Sequence, residues 1–82
     1  MWKAEIKVLL KQSVLDPQGQ AVEKALGSLG YLNVKDVRIG KYLEVIFDGG
    51  KRGEAESQLR EMCDRLLTNS VIEDYTFELA EV

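Results

Sequence analysis

Two short segments of this chain mark junctions between regular elements, and they most restrict the folds it can adopt. Residues 13–19 read Ser-Val-Leu-Asp-Pro-Gln-Gly, and the Asp16-Pro17 pair is typical of a helix start. The Asp16 carboxylate can accept a hydrogen bond from free amides of the first turn, and Pro17 suits a first helical position that needs no donor. Residues 34–41 read Val-Lys-Asp-Val-Arg-Ile-Gly-Lys, where Gly40-Lys41 between two alternating runs predicts a tight hairpin turn.

The rest of the chain alternates strand-like and helix-like segments. The first ten residues alternate apolar and polar side chains, which indicates a strand with one buried face. Apolar residues at helical spacing predict one helix that ends at Gly30 and a second that follows Gly53. Alternating runs at 37–39, 43–47 and 75–79 predict three more strands. The residues expected on the buried helix faces are Ala21, Val22, Ala25, Leu26 and Leu29 in the first helix, and Ala55, Leu59, Met62, Cys63, Leu66 and Leu67 in the second.

The predicted order is therefore β-α-β-β-α-β in a single domain, 1–82. Two βαβ crossovers and one hairpin in this order build a ferredoxin-like α+β two-layer sandwich. We expect a four-stranded antiparallel sheet with both helices on one face. This fold hosts many unrelated functions, so it does not by itself identify a role.

Composition argues against several classes of protein. The chain has 82 residues, a net charge of −3, one cysteine and no histidine. A nucleic-acid-binding protein usually has a basic excess, a zinc site usually needs histidine or several cysteines, and a Ser-His-Asp triad is impossible here. No apolar run approaches the roughly 20 residues that cross a bilayer, and the charged N-terminus is not that of a signal peptide. We therefore expect a cytoplasmic protein.

Four local features could carry chemistry, but each has a simpler interpretation. We interpret the glycine-rich segment 49–53 as a connecting loop, because it lacks the spacing of a phosphate-binding loop. The acidic residues at 73–81 are typical of a solvated face, and Cys63 lies on the apolar face of a predicted helix. Arg38, Gly40 and Lys41 are open to two interpretations, a charged turn or a contact with a partner. We predict a partner interface at these three residues and find no candidate catalytic, cofactor-binding or metal-binding residues.

Several segments, in order along most of the chain, resemble the PurS family, the small subunit of phosphoribosylformylglycinamidine synthase. They are 14–19 (VLDPQG), 21–26 (AVEKAL), 29–31 (LGY), 34–41 (VKDVRIGK) and 71–75 (VIEDY). The resemblance implies a non-catalytic subunit that assembles the glutaminase PurQ and the synthetase PurL in purine biosynthesis. It also implies that glutamine-derived ammonia is used for ATP-dependent amidine formation, with ATP and magnesium bound by the synthetase and no cofactor bound by this chain.

Two other functions are compatible with the same element order. One is a small-molecule-binding regulatory domain. The other is an RNA-recognition domain, which would have aromatic residues on a central strand and a basic face. Tyr42 and Phe47 fall on opposite faces, which counts against RNA binding. We also expect a homodimer or tetramer, because Leu9, Tyr42 and Ile46 are apolar residues at outward positions of the predicted sheet.

Overall fold

The computed structural model describes all residues, 1–82. It contains three strands and two helices. They are β1 (Trp2–Leu10), α1 (Pro17–Ser28), β2 (Gly40–Phe47), α2 (Arg52–Met62), which continues as a π-helical turn (Cys63–Leu67), and β3 (Glu73–Glu81). None of the helices is long and apolar enough to cross a lipid bilayer.

The strands form one antiparallel sheet with β1 in the centre and the order β2-β1-β3. Leu9 pairs with Gly40 and Trp2 pairs with Phe47, so β2 returns directly along β1. The intervening residues, 11–39, leave the sheet and re-enter it at the same end. We call this excursion, which contains α1, the arm. The second connection, through α2, carries the chain across β1 from β2 to β3.

The prediction of a four-stranded ferredoxin-like sheet is wrong. The run at 37–39 is not a strand, and Gly40-Lys41 begins β2 instead of forming a hairpin turn. Residues 37–39 do not form a strand because the Ile39 amide donates its hydrogen bond to the Asp16 carboxylate and not to a neighbouring strand. Gly40 is the first paired residue, and it must be glycine-sized, because a Cβ there would overlap the Val8 carbonyl oxygen. The observed order is β-α-β-α-β.

The core lies between the inner face of the sheet and α2. Alternate residues of β1 face this helix as the period-two pattern predicted, and Leu59 and Cys63 pack against them with no exposed surface. The buried residues of this core are Trp2, Ala4, Ile6, Val8, Ala55, Leu59, Cys63 and Leu79. The Trp2 indole N–H donates to the Gly50 carbonyl oxygen at 2.8 Å, which ties the 49–53 loop to the core at the sheet end opposite the arm.

Two predictions about the buried helix faces are wrong. The apolar face of α1 does not lie on the sheet, so Leu26 is only half-buried and Leu29 is exposed. In the second helix, Leu66 is 82% exposed. The cause is the π-helical turn, in which the Thr68 amide bonds to the Cys63 carbonyl five residues earlier. The wider turn shifts the helical phase and directs Leu66 away from the sheet.

Candidate functional site

Side-chain hydrogen bonds to the backbone join residues 12–19 to residues 36–39 at the base of the arm, which we call its root. Asp16 is the N-cap of α1, and its carboxylate accepts hydrogen bonds from the amides of Gly19 and Ile39, both at 2.8 Å. The side chain therefore joins the first turn of α1 to the strand that follows the arm. The hydrogen bonds from Ile39 and Gly19 hold the pKa of Asp16 below its ordinary range. Pro17 occupies the first helical position.

Gly19 is the point of closest approach within this root. A Cβ at this position would overlap the Val37 carbonyl oxygen, so the two segments of the arm can meet only because residue 19 has no side chain. Sequence reasoning did not single out this glycine. The available signal was its position in the first turn of a helix. Glycine is less favourable than alanine in a helix by about 1 kcal/mol, so a glycine there suggests that the structure requires it.

Arg38 joins the end of the arm to the segment between β1 and α1. Its guanidinium donates to the carbonyl oxygens of Val14 at 2.9 Å and Gln12 at 3.0 Å, with a longer bond to that of Lys11. The Nε atom lies 3.4 Å from the Asp36 carboxylate. These bonds satisfy three carbonyl groups in the segment between β1 and α1. They also use most of the donors that an arginine could offer to a partner or an anion.

The other two residues of the predicted interface lie apart from Arg38. Gly40 lies within the sheet beside Leu9, and Lys41 lies opposite Val8 on the inner face. The Lys41 ammonium is 3.9 Å from the Glu73 carboxylate, and both are at the arm end of the sheet. The structure therefore does not bring the three residues together on one turn. Whether any of them contacts a partner remains a prediction.

The root also lines a shallow, mostly polar cleft of about 310 Å³, bordered by Gln12, Glu23 and Asp36 as well as Asp16 and Arg38. The Asp16 and Arg38 side chains are already bonded to backbone groups. No group of three or more His, Cys, Asp or Glu side chains here could hold a metal ion. The arrangement can fix the direction of the arm.

Large apolar side chains are exposed both on the arm and on the outer face of the sheet. On the arm, Leu29, Tyr31 and Leu32 are all more than half exposed. On the outer face, Tyr42 and Ile46 are likewise exposed. Sequence reasoning assigned Leu29 to the core, because helical periodicity identifies an apolar face without saying what that face contacts.

A family model described as PurS, phosphoribosylformylglycinamidine (FGAM) synthase, matches residues 3–81. The chain belongs to the PurS family. It is 51% identical over all of its length to subunit PurS of the synthase from Bacillus subtilis, and the match covers 96% of that protein. This membership decides among the three functions that the sequence left open, in favour of the synthase subunit.

Solved PurS structures have the same architecture. The structure of B. subtilis PurS matches with a TM-score of 0.87 and 51% identity, over 99% of this chain and all of that one. A chain of the structure of PurLQS from Thermotoga maritima matches with a TM-score of 0.85 and 29% identity, over 96% of each chain. The three-stranded sheet and the projecting arm are therefore features of the PurS fold.

Proposed function

We propose that this chain is the non-catalytic assembly subunit of the formylglycinamidine ribonucleotide synthase complex. In this role it brings the PurQ glutaminase and the PurL synthetase together, so that ammonia from glutamine is used for ATP-dependent amidine formation. The observation that carries the proposal is the likeness of nearly the whole chain to a subunit of the Thermotoga PurLQS structure. An assembly subunit needs no catalytic groups of its own, since tethering two sites raises their effective concentration without new chemistry.

The finer parts of the proposal concern cofactors, location and self-association. ATP and magnesium are bound by the synthetase, and this chain binds no cofactor. The complex works in the cytoplasm, where purine synthesis takes place. The chain acts as a homodimer or a dimer of dimers, which is supported by the extent of exposed apolar surface on an 82-residue chain.

Complex formation tests the proposal directly. The chain would be mixed with PurL and PurQ of the same organism, with glutamine and nucleotide present, and the mass of the product measured by gel filtration with light scattering. We expect one species that contains all three proteins, and no such species when this chain is left out. Separate migration of the three proteins under these conditions would contradict the assembly role.

Catalysis by the isolated chain is the second part of the test. We expect neither glutamine hydrolysis nor ATP turnover from the purified chain, because it has no histidine to act as a general base and its one cysteine, Cys63, is buried in the core. Clear turnover that follows the chain through purification would overturn the non-catalytic part of the proposal, even if a three-protein complex forms.

A further inference from the structure

The end of the second helix, residues 63–68, forms a turn with one residue more than an α-helical turn. α2 is followed without a break by the π-helical turn at Cys63–Leu67. The Thr68 amide donates to the Cys63 carbonyl oxygen at 2.9 Å, whereas an α-helix would use the amide of Leu67 for this bond. No glycine or proline lies between Leu59 and Thr68, so the local sequence does not impose the wider turn. Turns of this kind are rare and often mark functional sites.

The π-helical turn buries a threonine where an α-helical turn would bury a leucine. Cys63 is fully buried and marks the direction of the core, yet Leu66 is 82% exposed and Thr68 is 7% exposed. At about 100° per residue, an α-helical turn would place Leu66 and Leu67 within about 60° of the direction of Cys63, and Thr68 about 140° away from it. The hydrophobic effect therefore favours the α-helical turn, because it would remove Leu66 from water.

The hydrogen bonds of Thr68 favour the observed turn instead. Its hydroxyl group donates to the Cys63 carbonyl oxygen at 2.8 Å, in addition to the bond from its amide. An α-helical turn would satisfy the same carbonyl group with the Leu67 amide and would return the Thr68 hydroxyl group to solvent. The net contribution of one hydrogen bond and the burial of one leucine are similar in size, so the two turns are close in free energy.

The structure on both sides of the helix end confines a change between the two turns to residues 64–71. Before this segment, Leu59 and Cys63 are held in the core with no exposed surface. After it, the Ile72 carbonyl oxygen accepts a hydrogen bond from the Lys11 amide at 2.8 Å, which ties the chain to the end of β1. Residues 69–71 are exposed, so they can take up the one residue by which the two turns differ.

We propose that the helix end is a switch with two states. In the π state, which is the one observed, Leu66 is presented to solvent and Thr68 is buried. In the α state, Leu66 is buried in place of Thr68. A surface that contacts Leu66 favours the π state, and it shifts the population only as far as its preference for that state allows. The switch thus allows the chain to withdraw a large apolar side chain from water when nothing covers it.

Two variants should each hold the helix end in one state. Deletion of Arg65, whose side chain is 77% exposed, places Thr68 four residues after Cys63. An α-helical turn then buries the same residues as the π state, and Leu66 stays exposed. Thr68→Glu should hold the α state, because a buried carboxylate without a partner is strongly unfavourable. Ser70→Glu is the matched control, since residue 70 is exposed in the loop that follows.

NMR of the leucine methyl groups distinguishes the two states. Relaxation dispersion detects exchange on the μs–ms timescale of helix register shifts, and a soluble paramagnetic agent reports the exposure of each methyl group. In the wild type and in Ser70→Glu, we expect exchange at Leu66 and Leu67 but not at Leu59. This exchange should be lost when Arg65 is deleted. In Thr68→Glu, the paramagnetic effect on Leu66 should be lost, because the side chain is then buried.

Two results would overturn the proposal. One is a wild-type protein in which Leu66 shows no exchange and is as exposed as in the deletion variant. The other is a folded Thr68→Glu protein in which Leu66 remains exposed. The fluorescence of Trp2, which is buried in the core, reports whether each variant is folded. If a variant does not fold, the wild-type dispersion at Leu66 and Leu67 decides alone, since its presence supports the switch and its absence overturns it.

Discussion

Two glycines of α1 should respond in opposite directions to the same substitution. At Gly27 a Cβ meets no atom within 4 Å. Gly27→Ala should therefore stabilise the protein by about 0.5–1 kcal/mol, because alanine loses less backbone entropy in a helix. At Gly19 the added methyl group overlaps the Val37 carbonyl oxygen and lies 3.0 Å from the Asp16 carboxyl group. Relieving this overlap should cost about 1–3 kcal/mol.

The free energies of unfolding of the two variants should then differ by about 1.5–4 kcal/mol. This corresponds to a separation in Tm of at least about 6 °C for a domain of this size. Thermal melts by circular dichroism would measure it, at one chain concentration because self-association also contributes to stability. Equal melting temperatures, or a more stable Gly19→Ala protein, would refute the close packing on which the account of the root depends.

Three further predictions concern the core and the root. Leu59→Ala should destabilise the protein by about 2–5 kcal/mol in denaturant melts, because Leu59 is fully buried under the sheet, and a loss below 1 kcal/mol would contradict this core. The ionised Asp16 carboxylate stabilises the fold, and this stabilisation is complete above its ordinary pKa of 3.8 and is lost as the pH falls through its lowered pKa in the folded protein. Asp16→Asn should therefore flatten the decline of Tm between about pH 5 and pH 2. An unchanged acid profile would exclude this role. Arg38→Lys should lower the Tm, because one ammonium group cannot replace a guanidinium that donates to both the Gln12 and Val14 carbonyls. An unaltered Tm would show that these bonds contribute nothing to stability.

The sequence predicted the local elements well, because local chemistry determines them. Asp16 and Pro17 start α1, and Gly30, at a φ of 98°, follows its end. The alternation in β1 identified the inner face that packs on α2. These features depend on neighbouring residues along the chain, and a single sequence displays them directly.

The arrangement of the elements could not be predicted in the same way. The alternation of Val37 and Ile39 is compatible with a strand, and only the distant Asp16 carboxylate, which binds the Ile39 amide, rules it out. The apolar face of α1 resembles any core-facing helix face, because periodicity does not say what surface that face contacts. Arg38 was predicted to lie on a hairpin turn and contact a partner. The sequence could not show its bonds within the chain, since the carbonyl groups that it binds are more than 20 residues away in the sequence.

The assembly role is tested most directly by the source of ammonia that the synthase can use. Formation of formylglycinamidine ribonucleotide would be measured with PurL and PurQ, with and without this chain, using either glutamine or ammonium chloride as the nitrogen source. A subunit that joins two active sites should raise the glutamine-dependent rate strongly and leave the ammonium-dependent rate of PurL nearly unchanged. A glutamine-dependent rate that is the same without the chain, or an equal increase with both nitrogen sources, would contradict the account.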